Sequence, residues 1–311
     1  MANITEAPPA NPATAVPANR DATRGFFFAL SACLLWGIQP LFMKALVHIP
    51  ADEILAHRIV WSVPVAGLIL VVLGRTADLK AAFRSPRTLI MAAVTACLVS
   101  INWGIYLWAI VSDHVVEAAL GYYINPLVSI VFGAVLLHEH LSRAQLVAIA
   151  LASVAVIAMT VDAGGLPWIS LTLAVSFAVY GYLRKTLPIG PSQGFFLEVL
   201  ILLAPATLYV VWLQYRGEGH FLPSNPTDVA LLIASGPVTT APLVLYAFGA
   251  KLLRYSTIGI MQYIAPTIVF LLAVFAFHEP FGTTKAIAFA LIWTGLAIYT
   301  WSLVAAARKS A

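Results

Sequence analysis

Polar side chains are scarce in this sequence, and many of those present sit inside long apolar runs. Asn125 is the sharpest case, in the stretch Gly-Tyr-Tyr-Ile-Asn-Pro-Leu at residues 121–127. A carboxamide surrounded by hydrocarbon needs a hydrogen-bond partner. Two roles are open to it. It holds the amino or carboxyl group of a small molecule, or it ties two helices together, an interaction worth about 1 kcal/mol or less. Rings with polar edges and uncharged polar groups recur in other runs. They are Trp36 and Gln39; Asn102, Trp103 and Tyr106; Thr239, Thr240 and Tyr246; and Gln262 with Tyr263. Such a set suits binding rather than bond breaking. Aromatic walls meet the apolar body of a ligand, and a few directed hydrogen bonds orient it. An organic cation or ammonium group would also find cation–π partners here. Taken singly, each residue serves equally as a helix-packing group.

Charged residues inside the runs are fewer. Arg58 lies about one helical turn inside its run. Its long stem reaches the interface, or its guanidinium attracts an anionic group. Glu198 and His57 also fall within runs and align with each other at an offset of 141 residues. These two, together with Arg58, are the candidates for proton coupling or gating, because a desolvated carboxylate or imidazole can exchange a proton. No acidic residue stands at mid-run depth as a dedicated proton carrier. The triplet His138-Glu139-His140 resembles a metal cluster, but histidines two apart do not share a helix face. Its counterpart His278-Glu279-Pro280 sits at another run end, so both read as helix-end motifs. His-Glu-x-x-His, the phosphate-binding Gly-x-x-x-x-Gly-Lys-Ser/Thr and a nucleophile elbow are all missing. The expectation is no catalytic residue, no metal and no cofactor, which argues against an ATP-driven pump in this chain alone.

What positions these groups is a membrane. Of 311 residues, 61% are hydrophobic and 10% charged, against roughly 25% charged in soluble domains. Mean hydropathy is +0.92. Ten apolar runs can be marked near 25–46, 54–73, 88–111, 115–137, 144–161, 166–183, 193–214, 228–250, 256–277 and 284–304. Lipid offers no partner to loose backbone groups, so each run must be a helix. Continuous runs of this length exclude a transmembrane barrel. The expected fold is an all-α integral membrane protein with ten transmembrane helices. Residues 1–24 read as a disordered cytoplasmic tail without the pattern of a signal peptide, and 305–311 as a second tail. Cys33 and Cys97 lie in apolar runs and read as buried thiols with no disulfide.

Lys and Arg set the orientation. With the N-terminus inside, the inner segments hold Arg20, Arg24, Arg75, Lys80, Arg84, Arg87, Arg143, Arg184, Lys185, Lys251, Arg254, Arg308 and Lys309. The outer segments hold only Lys44, Arg216 and Lys285. Both termini are therefore expected in the cytoplasm, with the chain in a bacterial inner (plasma) membrane. The net charge of +4 is distributed in short clusters between runs, which does not mark a nucleic-acid binder.

The sequence also partly matches itself. At an offset of 140, Tyr123, Ile124 and Pro126 fall on Tyr263, Ile264 and Pro266; His138-Glu139 falls on His278-Glu279; and Tyr106 falls on Tyr246. Pro64 answers to Pro205, and Trp36-Gly37 to Tyr180-Gly181, at slightly larger offsets. The two repeats span 25–161 and 166–304, five runs each. An odd number sends the second repeat into the membrane from the opposite side, which is the architecture of alternating-access transporters. Pro126 and Pro266 both lie roughly 15 Å into their runs, near mid-membrane. They are expected as helix breaks that line a cavity, or else as packing kinks.

Several stretches resemble the RarD group of EamA-type transporters in the drug/metabolite transporter superfamily. They are Asn102-Trp103 through Trp108-Ala109, Glu117 through Leu127, Glu139 with Gln145, Ala56-His57-Arg58-Ile59, and Gln262-Tyr263-Ile264-Ala265-Pro266. Ala119 departs from the serine expected in that pattern. The resemblance implies a ten-helix exporter with a central cavity. Its substrates would be small metabolites, such as amino acids or related amphipathic compounds, or drugs such as chloramphenicol. The partners expected are a small-molecule substrate and the lipid bilayer, without nucleic acid. Small-residue spacings such as Gly121 to Asn125, or Ala148 to Ala152, leave a homodimer open. The competing readings are a membrane-embedded transferase-type enzyme and a non-transporting receptor.

Overall fold

The structure, a computed structural model, describes residues 18–111, 114–165, 168–276 and 282–309. Every regular element among them is a helix. In the first half these are α1 (Ala18–Ala45), α2 (Ala51–Val72), α3 (Thr76–Phe83), α4 (Pro86–Val111), α5 (Val115–Leu136) and α6 (Arg143–Asp162). In the second half they are α7 (Trp168–Thr186), α8 (Pro191–Arg216), α9 (Pro226–Leu252), α10 (Tyr255–Met261), α11 (Ile264–Leu271) and α12 (Thr283–Lys309), with a π-helical turn at Leu272–Ala276 between α11 and α12. Eight segments are long and apolar enough to cross a membrane, and Ala286–Ser302 adds a shorter apolar helix. The 19-residue α7 completes the ten. The protein is a multi-pass membrane protein.

Local chemistry sets several ends. Ser142 and Gln145 form a reciprocal capping box at the start of α6. Proline opens α8 and α9, where its missing N–H costs nothing. Gly217 ends α8 at a φ of 70°, a left-handed conformation that favours glycine. At the end of α5, the Glu139 carboxylate accepts the backbone N–H groups of Tyr255 at 2.6 Å and Ser256 at 2.9 Å, and so caps α10. The helix-end reading of that motif holds. Its counterpart at 278–280 lies outside the described residues.

The packing carries the symmetry. The main contacts join α1 to α9, α2 to α9, and α1 to α10 and α11. Exchanging the two halves turns these into α7 with α4, α8 with α4, and α7 with α5, and all three also pack together. The remaining large interfaces, α2 with α8, α5 with α10 and α6 with α12, map onto themselves. That set is what a two-fold axis between two five-span repeats requires. Below, the terminal side is where α1 begins, and the far side is that of the α1–α2 turn.

Four details differ from the expectation. Helix α1 begins at Ala18, upstream of Gly25, so the last part of the expected tail is helical. The short α3 occupies a segment read as a loop; it is too short to span and too polar to register as a run. Cys33 is buried, but Cys97 is exposed on the outer surface of the bundle, and both are free thiols. Finally, α5 runs unbroken through Pro126, whereas the ninth span breaks at Gln262–Tyr263, one turn before Pro266. A proline frees only the carbonyl four residues back. In α5 that single loss leaves the helix intact, and in the ninth span the chain turns at the freed residue, Gln262.

Candidate functional site

Three residues expected from sequence meet in the middle of the bundle. Asn125 on α5 donates from Nδ2 to Gln262 Oε1 at 2.6 Å, and Gln262 Nε2 donates to the Tyr246 hydroxyl on α9 at 3.1 Å. The break between α10 and α11 is what places Gln262 between α5 and α9. This chain of bonds crosses from one repeat to the other. Trp36 packs beside it, 5.5 Å from the Tyr246 ring and 5.9 Å from Phe177, which in turn lies 5.7 Å from both Tyr180 and Tyr246. Asn125 Oδ1 is buried with no donor among the described residues, and so is Thr240 Oγ1.

Nearer the far side lies a second group. Arg58 on α2 donates from Nε to Thr239 Oγ1 at 2.8 Å, and its guanidinium carbon sits 5.2 Å over the Trp103 ring. It points into the bundle, so the interface reading is replaced by an internal one. Tyr106 and Tyr122 pack edge to face at 5.7 Å and lie close enough to feel the Arg58 charge. Tyr106 is 37% and Tyr122 45% exposed, so ring surface beside Arg58 is accessible.

The two sides are tied by different polar clusters. On the far side the buried Glu53 carboxylate holds His220 of the α8–α9 loop. His57 Nε2 is 4.0 Å from Glu53, and its ring stacks on Phe221 at 5.1 Å. Neither His57 nitrogen has a hydrogen-bond partner among the described residues. On the terminal side Glu198 pairs with Arg184 at 3.3 Å and accepts from the Tyr180 hydroxyl at 3.1 Å. Arg184 also donates to the Pro191 carbonyl. His57 and Glu198, the repeat counterparts, thus stand at equivalent places on opposite sides.

Other expected residues do not join either group. Asn102 Nδ2 donates to the Leu173 carbonyl and to Ser176 Oγ, both at 2.9 Å, and so ties α4 to α7. The Tyr263 hydroxyl donates to the Tyr123 carbonyl at 3.1 Å and ties the α10–α11 junction to α5. Gln39 lines an apolar cleft of about 420 Å³ between α1 and α9. Tyr122, Tyr180, Phe177, Glu53, His220 and Arg184 were not singled out as site residues. Two of them carried a signal: Tyr122 is the repeat counterpart of Gln262, and Tyr180 that of Trp36.

The same residues can be compared with known proteins. A model of the EamA-like transporter family matches residues 23–161. Protein RarD of Streptomyces exfoliatus is 42% identical over 293 residues, covering 94% of this chain and 93% of its own. The chain belongs to the RarD family of EamA-type transporters. It is accordingly a membrane transporter of the drug/metabolite type. A more distant RarD relative in Pseudomonas aeruginosa, named chloramphenicol-sensitive protein, is 28% identical over 94% of this chain and 98% of its own. A crystal structure shares the fold, with a TM-score of 0.68 at 22% identity, covering 91% of this chain and 97% of that one. The bridge from Asn125 to Tyr246 lies at the boundary between the two repeats.

Proposed function

We propose that this chain is a secondary transporter that exports small amphipathic metabolites, amino acids or related compounds, or drugs such as chloramphenicol. It sits in the bacterial inner membrane with both termini in the cytoplasm, as the bias of Lys and Arg argues. The observation that carries the reading is the Asn125–Gln262–Tyr246 chain, which spans both repeats at mid-depth beside Trp36 and Phe177. A solute held there would touch both halves, so rocking one half against the other would expose it to each side in turn. The far-side tie through Glu53 and the terminal-side tie through Glu198 are the contacts that would open alternately. The name of the Pseudomonas relative supports chloramphenicol as one solute to test.

The test is counterflow in proteoliposomes of purified protein. The labelled panel holds aromatic and neutral amino acids, organic cations and chloramphenicol, each with and without an imposed pH gradient. Protein-dependent exchange of one solute supports a carrier and names its class. No exchange by folded protein across the panel would sink the reading.

A further inference from the structure

We infer that Arg58 is the anchor for an anionic group, a carboxylate, on the transported solute. This inference rests on the transporter reading and narrows its substrate class. A cation inside a membrane bundle normally faces a counter-charge. Arg184 in this same protein does, through Glu198 at 3.3 Å. Arg58 instead has a neutral hydroxyl, Thr239, and the face of Trp103. No carboxylate pairs with it among the described residues. The acids on its own helix are engaged elsewhere, Glu53 by His220 and Asp52 by Tyr209.

The guanidinium has donors to spare. Thr239 uses Nε only, and a guanidinium carries five N–H bonds in a planar fork that matches a carboxylate. No Arg58 nitrogen is among the buried atoms without a partner, whereas Arg184 Nε is. Arg58 is itself only partly buried, so its remaining donors are accessible. Around them stand Trp103, Tyr106 and Tyr122, two of which are accessible rings with hydroxyls. A charge flanked by aromatic walls suits an acid with an apolar or aromatic body. The fixed positive charge repels a cation. A neutral drug would forgo the strongest contact at this site, because charge-assisted bidentate bonds exceed neutral ones.

Matched solutes test this. Phenylalanine and N-acetylphenylalanine are compared with their amides, in wild type, Arg58→Gln and Arg58→Lys, by counterflow and by quenching of tryptophan fluorescence in detergent. The expected result is a preference of at least about tenfold for each acid over its amide, lost in Arg58→Gln and partly kept in Arg58→Lys. Equal handling of acid and amide by wild type, or an undiminished acid preference in Arg58→Gln, would overturn the inference. The two readouts separate it from the transporter reading. Arg58-dependent binding of acids without any exchange keeps the anchor and removes the carrier. Exchange of amides as readily as acids keeps the carrier and removes the anchor. Neither binding nor exchange removes both.

Discussion

The Glu53 carboxylate holds His220 with both oxygens: Oε1 accepts the backbone N–H at 2.6 Å, and Oε2 lies 2.7 Å from ring Nδ1. The carboxylate itself is 1% exposed, so water does not compete for it. The α8–α9 loop is therefore pinned to α2, with Phe221 stacked on His57 as a second anchor. Glu53→Ala should free the loop at a cost of about 1.5–3 kcal/mol, the range for hydrogen bonds to a charged group. Hydrogen exchange at residues 217–225 should rise, with Glu53→Gln intermediate because it keeps one acceptor. Unchanged protection of that loop would show that the contact does not hold the far side.

Glu198 raises a different question. Burial beside Arg184 makes it first of all a counter-ion. Glu198→Ala would strand a buried guanidinium and should cost about 3–5 kcal/mol, read as a lower unfolding temperature in detergent. Pairing Arg184→Met with Glu198→Leu should recover most of that loss. If the pair is only a terminal-side tie, transport by the double variant should keep the wild-type pH profile. A flattened profile would restore Glu198 as a proton-coupling group.

The membrane constraint explains how much was legible in the sequence. Lipid forces every apolar run into a helix, so ten runs sufficed for the spans, and an odd repeat sufficed for inversion. Proline was a weaker guide. Pro126 and Pro266 give the same signal, yet only the second accompanies a break. Asn125, Gln262, Tyr246 and Trp36, each a candidate from sequence, lie together. The contacts of Glu53 with His220, 167 residues apart, have no local signature, since each residue alone reads as an ordinary helix-end group. Tyr122 was different. It lies at the position of Gln262 in the other repeat, and applying the symmetry to site residues as well as to helices would have found it.

Asn125→Leu separates binding from folding. It removes one interhelical hydrogen bond, which in membrane bundles is worth about 0.6 kcal/mol on average and at most about 1.7. Thermal stability should therefore fall only slightly. Exchange of the best counterflow substrate should be abolished if the chain through Gln262 orients the solute. Trp103→Ala should likewise abolish exchange, by removing the ring beneath Arg58. Near-normal exchange in both variants would remove this pair of groups as the solute site.

Gly236 decides how closely α2 and α9 approach. A Cβ built there would lie 2.5 Å from the backbone carbonyl carbon and oxygen of Trp61 and 2.6 Å from its Cβ. Ser62 Oγ also donates to the Gly236 carbonyl at 3.3 Å, which is reachable only at that separation. The repeat counterparts of Gly236 and Trp61 are Ala96 and Leu202. Gly236→Leu should force α2 from α9 and cost about 1–3 kcal/mol, as overpacking does. Spin labels near the far-side ends of α2 and α9 should report a longer distance in this variant, together with impaired exchange. An unchanged distance would mean that the helices yield elsewhere and that Gly236 does not set the closure.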